Sequence, residues 1–272
     1  MESKEFKALK EQLLSCRRNG FDRMDAAERS AMESYCTDYK AFLDTSKTER
    51  LCAGEVIRLA EQAGYRPYVR GAAVKPGDKV YLCNRGKSVL LAHIGEKPLA
   101  EGVQIAAAHI DSPRLDLKPN PLYEDGELAY FKTHYYGGIR KYQWVTIPLE
   151  LHGVVALKSG QVVRVSVGNG EGDPLFTVDD LLPHLGAEQS RKPLGEAIPA
   201  ESLNILVGSR PLADDEGSDR VKLSILELLN RKYGIVEEDF LSAELCAVPA
   251  FRAVDIGFDR SLIGAYGHDD RV

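Results

Sequence analysis

The architecture this sequence predicts is α/β: a three-layer α/β/α domain interrupted by a β-rich insertion. Helical apolar stripes fill the chain up to Gly64 and give way to strand-like segments at 79–84, 88–93 and 103–109. After Pro121 alternating strands replace helices. The apolar run 103–108 also leads straight into His109-Ile110-Asp111 and the proline-punctuated stretch 112–121, which places a functional loop at a strand end.

The elements follow in order. Phe6, Leu9, Leu13 and Leu14 recur at helical spacing, as do Ala31, Tyr35, Tyr39 and Phe42 after Asp25. A third helix follows Ser46, with Cys52, Val56, Leu59, Ala60 and Ala63 on one side and Gly64 as its stop. Of the strands, 103–109 is apolar enough to be central and covered on both faces. Beyond Pro121, 146–157 and 161–167 flank a hairpin turn at Lys158-Ser159-Gly160. The stretch 177–185 opens like a capping box and predicts a short helix limited by Pro183. A strand at 202–207 precedes a helix at 219–232, with Val221, Ile225, Leu228 and Leu229 inward and Gly234 ending it; 240–248 alternates as a strand.

Composition narrows the function. Among 272 residues, 44% are apolar, enough for a substantial core. A net charge of −6 with no basic stripe among 35 Lys and Arg argues against a nucleic-acid partner. Cys16, Cys36, Cys52, Cys83 and Cys246 are dispersed and odd in number, the usage of reduced thiols. The charged start MESKEFKALKEQ lacks a signal core, and no segment approaches the ~20 apolar residues of a membrane span, so no membrane association and a cytoplasmic location are expected.

In a strand, His109 and Asp111 share a face, so the carboxylate can reach the imidazole or an ion bound to it. A lone H-x-D is more often a strand-end histidine beside a solvated acid; the wider sequence context favours a metallohydrolase. The segments AAAHIDSPRLDLKPNP (106–121), HYYGGIRKYQW (134–144), IPLELHGVV (147–155) and the tail AYGHDDRV (265–272), in that order, resemble the aspartyl aminopeptidase family, most of all its bacterial branch. These are zinc-peptidases that assemble into hollow dodecamers. The resemblance runs over the whole chain.

It implies that His109 binds one metal, that Asp111 orients the ligand shell and that Asp269 bridges two divalent ions, zinc by ligand type, with cobalt or manganese also suited to such donors. Asp270 is left to coordinate or hydrogen-bond nearby, and Arg271 to neutralise the acidic cluster. In the family a pair of adjacent glutamates, another aspartate and a histidine are expected beyond the bridging aspartate, so the chain reads as an N-terminal portion of a longer enzyme. A two-metal hydrolytic site needs about three protein ligands per ion and a general base. His109, Asp111 and Asp269 cannot supply these, and the 272-residue chain alone is expected to be inactive.

The resemblance divides the chain into a first catalytic part (1–121), an inserted β-rich dimerisation domain (122–250) and a return to the catalytic domain (251–272). It implies a peptide substrate whose N-terminal residue, acidic by the family's name, is released, and homo-oligomers built from dimers. His184, in Leu182-Pro183-His184-Leu185, matches a histidine that stabilises the oxyanion in a neighbouring subunit; a helix-end histidine bonded to terminal carbonyls is the other reading. His93, His134, His152 and His268 are expected in structural roles. The alternative for the whole chain is a non-catalytic assembly module or truncated regulatory form.

Overall fold

The structure is a computed structural model that describes residues 3–15, 17–213 and 217–268. It divides into two compact units, Met1–Ala41 and Phe42–Val272.

The first unit contains α1 (Ser3–Leu13) and most of α2 (Ala26–Thr45). Asp25 and Glu28 form the capping exchange that starts α2: Asp25 Oδ1 accepts from the Ala27 and Glu28 amides, and Glu28 Oε2 accepts from the Asp25 amide. Both helices fall where the periodicity predicts them. Their stripes are not core throughout, since Phe6, Leu13, Leu14 and Tyr35 are exposed.

The second unit begins with the end of α2, where Leu43 is buried, and continues into α3 (Glu49–Gln62). Thr48 caps α3 through its hydroxyl, and Gly64 follows in the left-handed region at φ 84°. Next comes a small sheet of β1 (Arg66–Pro67), β2 (Lys79–Asn84) and β3 (Ser88–His93), with α3 packed against β2 and β3.

The expected strand at 103–109 does not form; the backbone from 102 to 113 is irregular. Apolar sequence supplies β-propensity, but a strand exists only where a neighbour pairs with it. Among the described residues none does, and Val103 (62%) and Ile105 (81%) stand exposed, as do Leu90 and Leu91 on β3.

The larger sheet is antiparallel, in the order β7-β6-β10-β4-β5-β9-β8. Its strands are β4 (Arg114–Asp125), β5 (Leu128–Tyr136), β6 (Leu149–Ala156), β7 (Val162–Val167), β8 (Thr177–Val178), β9 (Ile205–Gly208) and β10 (Ala243–Pro249). The expected loop at 112–121 is therefore mostly strand. Pro119 and Pro121 cannot donate to a ladder, and they fall where the β4–β5 register shifts between Leu117 and Leu122. The expected helix at 177–185 is absent: Thr177 and Val178 pair with β9 instead, and turns follow.

A short helix α4 (Leu194–Ala197) precedes β9, and α5 (Arg220–Tyr233) packs across β4, β5 and β9. Val221, Ile225 and Leu229 face the core as predicted, joined by Leu226, whereas Leu228 is exposed. Glu124 of β4 caps α5, its Oε2 accepting from the Val221 and Lys222 amides at 2.8 and 2.9 Å. Leu115, Leu149, Val155, Leu203, Ile205, Ile235 and Ala247 are essentially inaccessible in one continuous core. The chain ends its described course in a two-stranded ribbon, β11 (Val254–Ile256) with β12 (Leu262–Gly264). No described helix is long and apolar enough to cross a membrane.

Gly153 shows how tightly β6 and β10 approach. Its φ is 149°, and a Cβ there would overlap the Glu244 carbonyl oxygen. Gly153→Ala is expected to destabilise the protein by about 1–3 kcal/mol in chemical denaturation, as overpacking does. Gly160→Ala, in the open hairpin turn at φ 86°, should cost only the ~1 kcal/mol of left-handed backbone.

Candidate metal centre

His109 and Asp111 lie on the irregular segment just before β4, and β4 begins three residues after Asp111. His109 Nδ1 lies 3.1 Å from Asp111 Oδ1 and 3.2 Å from the Asp111 carbonyl oxygen. Both neighbours are acceptors, so Nδ1 carries the proton. In the neutral ring Nε2 then holds the lone pair that a metal needs. The carboxylate thus contacts the imidazole, as the two-residue spacing allows, although no strand forms here to align the two side chains.

Asp111 is itself held from the far side. Tyr136, the last residue of β5, donates its hydroxyl to Asp111 Oδ2 at 2.6 Å. That bond, with further help from the Asp111 backbone and His109, outweighs partial burial and holds the carboxyl below its ordinary range. The Arg114 guanidinium lies over the Tyr136 ring, 4.2 Å from its centre, and is anchored by Asp116 Oδ1 at 2.7 Å and Glu49 Oε2 at 3.2 Å. Cross-strand pairing of Arg114 with Tyr136 brings these groups together. In the sequence Tyr136 is marked only as part of the family-like segment HYYGGIRKYQW (134–144). The available signal was its position in YYGG, at the end of a strand antiparallel to the one leaving His109.

The tail returns to the same loop. Tyr266 donates its hydroxyl to the Pro113 carbonyl at 2.6 Å, and its ring meets Trp144 edge-on. Asp269, expected to bridge the ions, lies outside the described residues, as do Asp270, Arg271 and Cys16. Among the described residues no group of three or more His, Cys, Asp or Glu side chains is arranged to hold an ion.

The other histidines separate clearly. His184 is exposed in a turn closed by the Leu185 and Gly186 amides on the Leu182 carbonyl, rather than at a helix end. No described hydrogen bond joins it to His109 or Asp111. His93 ends β3, and exposed His134 stacks on Tyr135. His152 is buried, with Nδ1 3.1 Å from Ser166 Oγ. Its Nε2 is 3.0 Å from Glu150 Oε1 but off line for a directed hydrogen bond, so that contact is electrostatic. Glu150 also pairs with buried Lys47 at 3.1 Å, and Lys47 donates to the Pro249 carbonyl. This cluster stitches the end of α2 to the large sheet.

A histidine held by a carboxylate two residues on, in the irregular segment that leads into β4, is an arrangement able to present an imidazole nitrogen to a metal. Residues 42–272 match the family described as aminopeptidase I zinc metalloprotease (M18), and the chain belongs to it. It is 50% identical over 264 residues to the probable M18 family aminopeptidase 1 of Clostridium acetobutylicum, covering 96% of this chain and 57% of that protein. The corresponding protein of Thermotoga maritima is 44% identical over 245 residues, covering 90% and 53%. A solved M18 aminopeptidase from Thermotoga maritima superposes with a TM-score of 0.89 at 42% identity, over 95% of this chain and 56% of that one. Aminopeptidase I from Clostridium acetobutylicum gives 0.85 at 47%, over 95% and 58%. The chain therefore spans a little over half the length of the relatives it matches.

The Lys47–Glu150–His152 cluster makes its own prediction. Burial raises the Glu150 carboxyl, but His152 and Lys47 outweigh it and leave it below its ordinary value of 4.5. A depressed carboxyl contributes stability that is present above 4.5 and is lost as pH falls through the lower, folded value. Lys47→Met, which strands Glu150, should cost about 3–5 kcal/mol at neutral pH, and adding Glu150→Leu should recover most of it. Denaturant unfolding across acidic pH should show Glu150→Gln losing less stability on acidification than the parent chain.

Proposed function

We propose that this chain is the front portion of a zinc aminopeptidase that removes N-terminal residues, acidic ones by the resemblance, from peptides. The observation that carries this reading is His109, whose Nδ1–H on Asp111 orients Nε2 as a donor, within a chain of the M18 family. The donor chemistry fits zinc at His109. Asp269 is proposed to bridge a second ion, and the Tyr266–Pro113 bond supports this by returning the tail to the loop that carries His109. Once bound, the ions supply Lewis acidity and an activated water. Asp111 keeps the His109 ring in one tautomer, and exposed His184 is proposed to serve the site of a neighbouring subunit as an oxyanion donor.

The division into catalytic parts at 1–121 and 251–272 and an inserted dimerisation domain at 122–250 belongs to the same proposal, as do a homo-oligomer and a cytoplasmic site of action. The continuous core of the large sheet favours a second reading, an assembly module that folds and pairs without chemistry.

The test is the intact mass of the natural gene product together with an aminopeptidase assay. A product well above 30.0 kDa, with release of N-terminal residues that is lost on chelation and restored by zinc, supports the enzyme. The 272-residue chain alone should be inactive, and His109→Ala in the longer product should abolish release. A 30.0 kDa product without activity makes it an assembly module.

A further inference from the structure

The hydrogen bond that fixes His109 depends on a carboxylate that is only partly buried: the Asp111 side chain is 38% exposed and the His109 side chain 60%. A solvated carboxylate on an irregular segment rotates freely unless its second oxygen is also held. Among the described residues that oxygen is held by one group, the Tyr136 hydroxyl at 2.6 Å. Tyr136 differs from Asp111 and His109 in standing on regular structure, at the end of β5 in ladder register with Arg114. Its ring is fixed in turn by the Arg114 guanidinium, which ion pairs with Asp116 on its own strand and with Glu49 in the first turn of α3 hold in place. A continuous run of directed contacts therefore leads from α3 and β4, through Arg114, Tyr136 and Asp111, to the His109 ring.

We propose that Tyr136 is the positioning residue of this centre: held under Arg114, its hydroxyl clamps Asp111, and the clamped carboxylate sets the tautomer and direction of the His109 ring. This rests on the reading of His109 as a metal ligand. Its structural part concerns the chain without metal and is tested there.

The measurement is the imidazole tautomer of each histidine by nitrogen-15 NMR of the 272-residue chain, metal-free and at mildly alkaline pH, followed by zinc titration of the longer gene product against a competing chelator. Tyr136→Phe keeps the ring beneath Arg114 and removes only the hydroxyl, so the fold and unfolding midpoint should stay the same. In the parent chain His109 should be held with its proton on Nδ1. In Tyr136→Phe it should relax toward the mixture shown by exposed His184, whose own signals stay unchanged, and zinc affinity should fall about 10-fold. Asp111→Ala, which removes both carboxylate oxygens and leaves only the Asp111 carbonyl near Nδ1, should shift the same tautomer.

If Asp111→Ala shifts His109 while Tyr136→Phe leaves it as in the parent, the proposal is overturned. It is equally overturned if His109 in the parent chain does not carry its proton on Nδ1. A tautomer shift together with a longer gene product that binds no zinc would uphold the clamp and remove the metallopeptidase reading.

Discussion

The antiparallel pairing of β4 with β5 is the constraint on which the rest of this molecule depends. β4 lies inside the large sheet, bonded to β10 on one side and β5 on the other, and Leu115 near its start is completely buried. The register that buries Leu115 opposite Tyr135 also sets Arg114 opposite Tyr136. Because side chains alternate faces, a slip of one residue would expose Leu115 and part Arg114 from Tyr136 together. The core thereby fixes the geometry just outside it: burial of apolar groups, worth roughly 1.5–3 kcal/mol for each large side chain, holds polar groups that could not hold themselves at the surface.

The same economy appears at α5. Its preceding residue, Asp219, is in the left-handed region at φ 62° and does not cap the helix. The cap is Glu124, nearly a hundred positions earlier in the chain, so strand and helix are joined by charge-assisted bonds to the first amides as well as by packing. Asp239 plays a similar part, accepting from the Lys158 amide beside the hairpin and from the Val236 amide at the start of its own turn. Such bonds between distant residues make the large sheet a coherent support.

Where local chemistry decides the outcome, the sequence was legible. A helix starts at Asp25 and another soon after Ser46, Gly64 and Gly234 end two of the helices, and the β6–β7 hairpin closes at Lys158-Ser159-Gly160 as its turn residues require. His109 and Asp111 were legible for the same reason, since a spacing of two residues limits how they can meet. What sequence could not disclose is decided by partners. Val103 to Ala108 has the composition of a central strand and no described neighbour to pair with. Thr177 and Val178 carry a helix-start signal, yet β9 offers them a ladder. Pro119 and Pro121 read as loop punctuation and prove to mark an irregularity within a long strand. Tyr136 was hidden because its role depends on strand register, which no local motif encodes.

Propensity without pairing also explains how the site is arranged. Val103, Ile105, Leu90 and Leu91 put apolar surface beside an irregular backbone, a combination that persists in a native protein only where something covers it. The relatives are nearly twice as long as the part of them that this chain matches, which leaves ample chain to provide such a cover. The segment that ends at His109 joins no described sheet, whereas Arg114 and Tyr136, only a few residues or one strand away, are held by ladder pairing and by directed polar contacts. A side chain carried on a weakly held segment needs its orientation supplied from a firmer one. The contact from β5 to Asp111 meets that need for the His109 ring.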